Sequence, residues 1–213
     1  KKYYIVLFIN MDLIKALNWR YATKRMSGDK IPEKQLEQIL EAIRLAPSSY
    51  GLQPFEVTII ENKEILSEIY EKACPQVVLQ QCSQLLVFRA RTRVEDDLVD
   101  DYVHEMKNLR NASEEDSEKF RQKIKYVQEN PLTNKLSWAI RQTYIALGYG
   151  TFAAAQLGID TTPIEGFNSV VLNQMLGLDT EKEESVVLLA LGYRDVDSDK
   201  TVKLAKIRRP FEK

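Results

Sequence analysis

The stretch from Leu136 to Leu157 carries Ala, Ile, Leu, Tyr, Gly and Phe on nearly every helical face. A helix that is apolar around most of its circumference has to be covered on all sides, by the rest of its own chain or by a second copy. Gly158 supplies its stop. The remaining sequence must therefore provide layers to pack around one central helix.

Those layers can be read from hydrophobic period and punctuation. Asp12 caps a helix to about Trp19 with Leu13, Ala16 and Leu17 on one face. Pro32 opens a clearer helix whose Leu36, Ile39, Leu40 and Ile43 recur at i, i+3, i+4 and i+7, and Pro47 closes it. The turn-forming run Pro47 to Pro54 is a loop, Phe55 to Ile60 a strand, Lys63 to Ala73 a helix, and Leu85 to Phe88 a short buried strand. From Glu95 to Asn130 the chain is highly charged, which predicts one or two solvated helices standing away from the core, broken by Pro131. Asn168 caps a short helix to Leu176, and Ser185 to Tyr193 is the clearest strand. About three to five strands with helices between them predict an α+β fold.

No repeat or linker divides the chain, so residues 11–213 are expected to form one domain. Residues 1–10 are read as an extension before Met11. Their apolar run Tyr3 to Ile9 is at the lower limit for a signal peptide and far too short to span a bilayer. Its β-branched and aromatic content predicts an added edge strand or a segment lying on a partner.

Composition removes several functions. The chain carries 30 basic and 31 acidic residues, which argues against a whole-surface nucleic-acid binder. Two cysteines, Cys74 and Cys82, cannot make a disulfide framework or a multi-cysteine zinc site, and they fit a cytoplasmic protein. A single histidine, His104, removes two-histidine metal sites and most triad hydrolases, and no metal is expected. Neither the phosphate-binding loop nor the dinucleotide Gly-x-Gly-x-x-Gly fingerprint occurs, and Gly148-Tyr149-Gly150 is read as close helix packing.

Four polar islands remain in otherwise regular sequence: Arg20 to Lys24, Pro47 to Gln53, Pro163-Ile164-Glu165-Gly166, and Lys206 to Arg208. Each alone reads as surface or turn. In this order, and with Trp138, Arg141, Gln142 and Tyr144 on the long helix, they resemble the FMN-dependent nitroreductase family over residues 11–210. The resemblance implies a three-layer α-β-α fold with a mostly antiparallel central sheet and the long helix at a dimer interface.

It also implies roles. Arg20, Lys206 and Arg208 match the clamp on the FMN phosphate, a group of about -1.5 to -2 charges suited to guanidinium partners. Lys24 matches a cation near flavin N1 and the C2 carbonyl, where negative charge collects on reduction. Glu165 and Gly166 match the turn whose backbone approaches N5, and glycine permits that approach. Pro47, Ser48, Ser49 and Gly51 match a segment contributed by the partner subunit. Gln76 is the one amide of the right chemistry for the pyrimidine edge. Tyr21, Ala22, Pro163 and Ile164 complete the cofactor-binding set, with Ala22 standing where members often have serine.

The implied activity is hydride transfer from NADH or NADPH to FMN, then two electrons to a small flat acceptor such as a nitroaromatic or quinone. The flavin carries the chemistry and no side chain is required as nucleophile or base. The implied assembly is a homodimer with no nucleic-acid or membrane partner. Two rivals stay open: flavin or phosphate binding without turnover, and a related activity such as dehalogenation or enone reduction.

Overall fold

A computed structural model of the chain describes residues 12–210. The expected extension of residues 1–10 lies outside the described residues. The elements run α1 (Leu13–Trp19), α2 (Glu33–Arg44), β1 (Phe55–Ile60), α3 (Lys63–Lys72), α4 (Val78–Gln81), β2 (Gln84–Arg91), α5 (Asp96–Arg110), α6 (Glu114–Glu129), α7 (Lys135–Gln156), β3 (Asp160–Ile164), α8 (Ser169–Met175) and β4 (Glu183–Gly192). The four strands form one sheet in the order β1-β2-β4-β3, with every pairing antiparallel.

The two-residue period of the strands builds the layers. Leu85, Val87, Leu188 and Ala190 point to one face, where they join Leu66, Ile69, Leu79 and Leu172 of α3, α4 and α8. Leu86, Phe88, Leu189 and Leu191 point to the other face, against Ile39 and Ile43 of α2 and Ala146, Leu147 and Ala154 of α7. The result is the expected α-β-α arrangement.

Helix α7 is less completely covered than its composition suggests. Ile145 and Tyr149 remain exposed, alongside Leu13, Ile14 and Leu17 of α1, which packs on α7. Of the α1 face expected to be buried, only Ala16 is. The pair Gly148 and Gly150 divides in two: nothing lies where a Cβ on Gly148 would point, whereas one on Gly150 would meet Ile43 Cγ1 at 2.7 Å. Gly150 thus sets the approach of α2 to α7. Gly150→Ala is expected to cost about 1–3 kcal/mol by overpacking, read by urea unfolding of the apoprotein.

Two expectations are corrected. The charged helices α5 and α6 do not stand away from the core. Val99, Val103 and Ile124 are buried with Leu52, Ala90, Trp138 and Ala139 in a third cluster over the start of α7, beside the stacked rings of Tyr102 and Phe120. A few apolar residues at helical spacing are enough to seat helices whose other faces are solvated. The second correction is β3. Its sequence Asp-Thr-Thr-Pro-Ile was read partly as a turn, yet it is an edge strand that tolerates Pro163 because an edge does not require every N–H in a ladder. Among the described residues no helix is long and apolar enough to cross a membrane.

Candidate functional site

The site is built along the outer edge of β3. Asp12 Oδ1 caps α1 by accepting from the N–H groups of Ile14 and Lys15. The helix then ends at Arg20, whose backbone is extended (φ -70°, ψ 140°). From there the chain runs beside β3: Ala22 forms a parallel bridge to Thr161, and Thr162 Oγ1 donates to the Thr23 carbonyl at 2.7 Å. Arg20 is therefore placed near the Asp160 end, and Lys24 near the Pro163–Gly166 end. Four extended residues span at most roughly 13 Å.

One buried ion pair fixes this segment. Arg194 Nη2 and Nε donate to Asp160 Oδ1 at 2.6 and 3.0 Å, and its backbone N–H donates to Asp160 Oδ2 at 2.9 Å. The guanidinium lies between the rings of Trp19 and Tyr21, 4.1 and 4.7 Å from their centroids. Asp160 is only 2% exposed, so its charge depends on this partner.

A second hub ties the segment to the C-terminal tail. Asp199 Oδ2 accepts from Thr23 Oγ1 at 2.7 Å, Tyr21 Oη at 3.0 Å and the Lys24 N–H at 2.8 Å, while Oδ1 accepts from the Thr201 N–H and hydroxyl. Burial alone would push the carboxyl up, but hydrogen bonds from Thr201, Thr23 and the backbone of Lys24 outweigh it and hold the group well below the usual carboxylate range. Because the folded value is depressed, this stabilisation is complete above the ordinary carboxylate pKa of about 4 and is lost as pH falls below it. Asp199→Asn is expected to lower stability near neutral pH by about 1–3 kcal/mol. It should also flatten the loss of stability below about pH 4, measured by urea unfolding across a pH series. An unchanged acid limb would contradict this role.

At the Asp160 end three cations converge. Arg20 Nε is buried and has no hydrogen-bond partner among the described residues. Burial first, then the charge of Arg208, pulls the Arg20 pKa down, with Asp160 opposing. Lys206 is lowered by burial and by Arg20 and Arg208. Its ammonium donates to the carbonyls of Leu17 and Arg20, each at 2.5 Å, tying the tail to the end of α1. Among the described residues Arg208 Nη1 donates only to the carbonyl of Ile207. Repelling cations with an orphaned buried N–H form a site that an anion would relieve.

At the other end, Lys24 is exposed and its ammonium has no ion pair among the described residues. The turn after β3 leaves Glu165 and Gly166 exposed, while Ile164 is buried in the core. Tyr144 Oη donates to Glu165 Oε1 at 2.5 Å. A Cβ on Gly166 would lie 3.9 Å from Gln76 Nε2, which places the amide of Gln76 beside this turn. Tyr21, in contrast, has its ring under Arg194 and its hydroxyl on Asp199.

The loop bearing Pro47, Ser48, Ser49 and Gly51 is not joined to this group within the chain. Gln142 Oε1 of α7 accepts from the Ser49 N–H at 2.9 Å, and Gly51, at φ +74°, leaves a Cβ position 2.7 Å from the Tyr102 ring. Residues two apart on a helix differ by roughly 200°. Gln142 and Tyr144 therefore point to opposite sides of α7, one toward this loop and the other toward Glu165.

Residues 17–193 match the model of the nitroreductase family. The chain belongs to the nitroreductase family. It is 36% identical over 203 residues to a Staphylococcus saprophyticus protein named "Putative NAD(P)H nitroreductase SSP0379", covering 89% of this chain and 91% of that one. It is 32% identical to Bacillus subtilis YfkO, which carries the same description, over 87% of this chain and 90% of the relative. Among solved structures it shares its fold with a nitroreductase-type protein of Exiguobacterium sibiricum determined in complex with FMN, at TM-score 0.80 and 19% identity over 95% of each chain. It shares it also with the gut-bacterial enone reductase CLA-ER, at TM-score 0.78 and 15% identity over 96% of this chain and 95% of the other.

Among the described residues no group of acidic, cysteine and histidine side chains could hold a metal ion. Sequence reasoning missed Asp160, Arg194 and Asp199, whose hydrogen bonds and ring contacts hold residues 19–24 along the β3 edge.

Proposed function

We propose that this nitroreductase-family chain is an FMN-dependent oxidoreductase that takes hydride from NADH or NADPH and reduces a small flat acceptor such as a nitroaromatic or quinone. The observation that carries the reading is the β3-edge site. At one end are Arg20, Lys206 and Arg208, with the buried, unpartnered Nε of Arg20; at the other are Lys24, Gln76 and the exposed Glu165–Gly166 turn. The cations suit a terminal phosphate, and the far end suits a polar ring edge. These residues fit FMN.

When bound, FMN supplies the two-electron chemistry, accepting hydride from the nicotinamide and returning the pair to the acceptor. The chain's own part is to hold and orient. Arg20, Lys206 and Arg208 anchor the phosphate. Lys24 places positive charge at the ring edge where negative charge collects, Gln76 offers its amide there, and Gly166 lets the backbone approach closely. Donor and acceptor use the site in turn, so steady-state initial rates with NADH or NADPH against menadione or nitrofurazone should give parallel double-reciprocal lines. Flavin-loaded protein that oxidises neither nucleotide would favour binding without turnover. An enone or halophenol acceptor preferred over both would favour the related activities.

The assembly read here is a homodimer, cytoplasmic, with two sites completed by Pro47, Ser48, Ser49 and Gly51 of the opposite chain. The open apolar stripe of Leu13, Ile14, Leu17, Ile145 and Tyr149 supports it, and so does the placement of the Pro47 loop on the far side of α7. Light scattering of the flavin-loaded protein should give twice the 24.6 kDa chain mass. Flavin affinity should fall as the dimer dissociates on dilution. A 24.6 kDa species with stoichiometric FMN would contradict the shared site.

A further inference from the structure

The turn after β3 is held from two sides. From below, the Asn168 N–H donates to the Ala73 carbonyl at 2.7 Å, and the Cys74 thiol lies 3.8 Å from the Gly166 carbonyl. The Phe167 N–H closes the turn onto the Glu165 carbonyl at 2.9 Å. These contacts fix the backbone of residues 166–168 but leave the Glu165 side chain free. Among the described residues the Tyr144 hydroxyl alone hydrogen-bonds to that carboxylate, at 2.5 Å.

The donor is rigid. Tyr144 stands on α7, half-buried, with its ring packed against the core that α2, α7 and the sheet share, and its hydroxyl reaches Glu165. Burial and the neighbouring carboxylate push that hydroxyl up to about 12, so it stays a donor through the working pH range. Glu165 makes no ion pair among the described residues and is exposed, so no packing in the chain requires its charge. A stiff aromatic lever aimed at a solvent-exposed carboxylate serves placement of that charge at the site's edge more than stability of the fold.

We propose that Tyr144 is a positioning residue for the reducing half-reaction: acting through Glu165, it fixes the carboxylate and its turn beside the flavin ring and partly neutralises its charge. The inference rests on the FMN reading above. It assigns Tyr144 a role that is purely conformational and electrostatic. Without the hydroxyl, the carboxylate gains rotamer freedom and carries its full negative charge beside the ring, which disfavours the reduced, more negative flavin.

The test uses flavin-loaded Tyr144→Phe, Glu165→Gln and the double variant, together with their apoproteins. Tyr144→Phe should keep its melting temperature, and its FMN Kd should stay within about threefold of the parent, because the phosphate clamp is untouched. Its bound-flavin midpoint potential should fall. Its kcat/KM for NAD(P)H should drop by roughly tenfold, about 1.4 kcal/mol of transition-state stabilisation. Glu165→Gln should raise the potential, and the double variant should match Glu165→Gln alone, as expected for a residue that acts through another. In the apoprotein the Glu165 amide should exchange faster in Tyr144→Phe, while the Phe167 amide, held on the Glu165 carbonyl, should not.

A Tyr144→Phe potential equal to the parent's, or an effect that adds in full to that of Glu165→Gln, overturns the proposal. If the parent binds no FMN, it is the flavin reading that fails. The apoprotein exchange still decides the positioning role, and unchanged exchange at Glu165 overturns it.

Discussion

Arg194→Ala is expected to destabilise the apoprotein by about 3–5 kcal/mol, because it leaves the Asp160 carboxylate, 2% exposed, buried without its partner. The same change removes the cation from between Trp19 and Tyr21, at the end of α1. Arg194→Lys should recover only part of the loss, since an ammonium cannot reproduce the fork on Asp160 or stack between two rings. The double change Arg194→Met with Asp160→Leu, which buries no charge, should be far milder than Arg194→Ala. Urea unfolding monitored by tryptophan fluorescence measures all three. A loss below about 1 kcal/mol for Arg194→Ala, the range of an exposed pair, would show that the pair is not buried in solution.

The second large effect is on flavin affinity. Arg20→Ala and Arg208→Ala are each expected to weaken FMN binding by about 1.5–3 kcal/mol, or roughly 10- to 150-fold in Kd. Arg20 should be the larger of the two, since its Nε is already buried and unpartnered. Arg209→Ala should change Kd by less than about threefold, the range of an exposed charge acting through solvent. Fluorescence titration of the apoproteins reads these differences directly. Equal losses at Arg208 and Arg209 would mean that the tail acts as a diffuse basic surface and makes no specific contact.

Much of the candidate site proposed here was legible because its parts are punctuation in a regular sequence. Arg20 to Lys24, Pro163 to Gly166 and Lys206 to Arg208 interrupt hydrophobic periods, and the fold brings all three to the β3 edge. Gln76 could be named as an amide but not placed, because its distance from Gly166 depends on the short helix α4 and on the Asn168 to Ala73 bond. The Pro47 to Gly51 loop was expected at the site only with a second chain, and within one chain it sits across α7.

What stayed hidden is tertiary in origin. Asp160, Arg194 and Asp199 are charged residues near turns, and nothing in their neighbourhoods predicts burial; each is buried or half-buried because residues 20–26 fold back over the sheet edge. The same covering hides β3, whose Thr161 and Thr162 are buried although the sequence around them is polar. The charged span from Glu95 to Asn130 misled in the opposite sense. Its charges are solvated as expected, but Val99, Val103 and Ile124 seat it on the third cluster.

Titration of the apoprotein with FMN, riboflavin and FAD, following the visible flavin bands, tests the central claim most directly. The three cations at the Asp160 end predict one FMN bound per chain, with riboflavin, which lacks the phosphate, at least about 100-fold weaker, a loss of some 2.7 kcal/mol or more. FAD should bind less tightly than FMN, because its phosphate is not terminal. Riboflavin binding as tightly as FMN, or a protein that binds none of the three, would contradict the account.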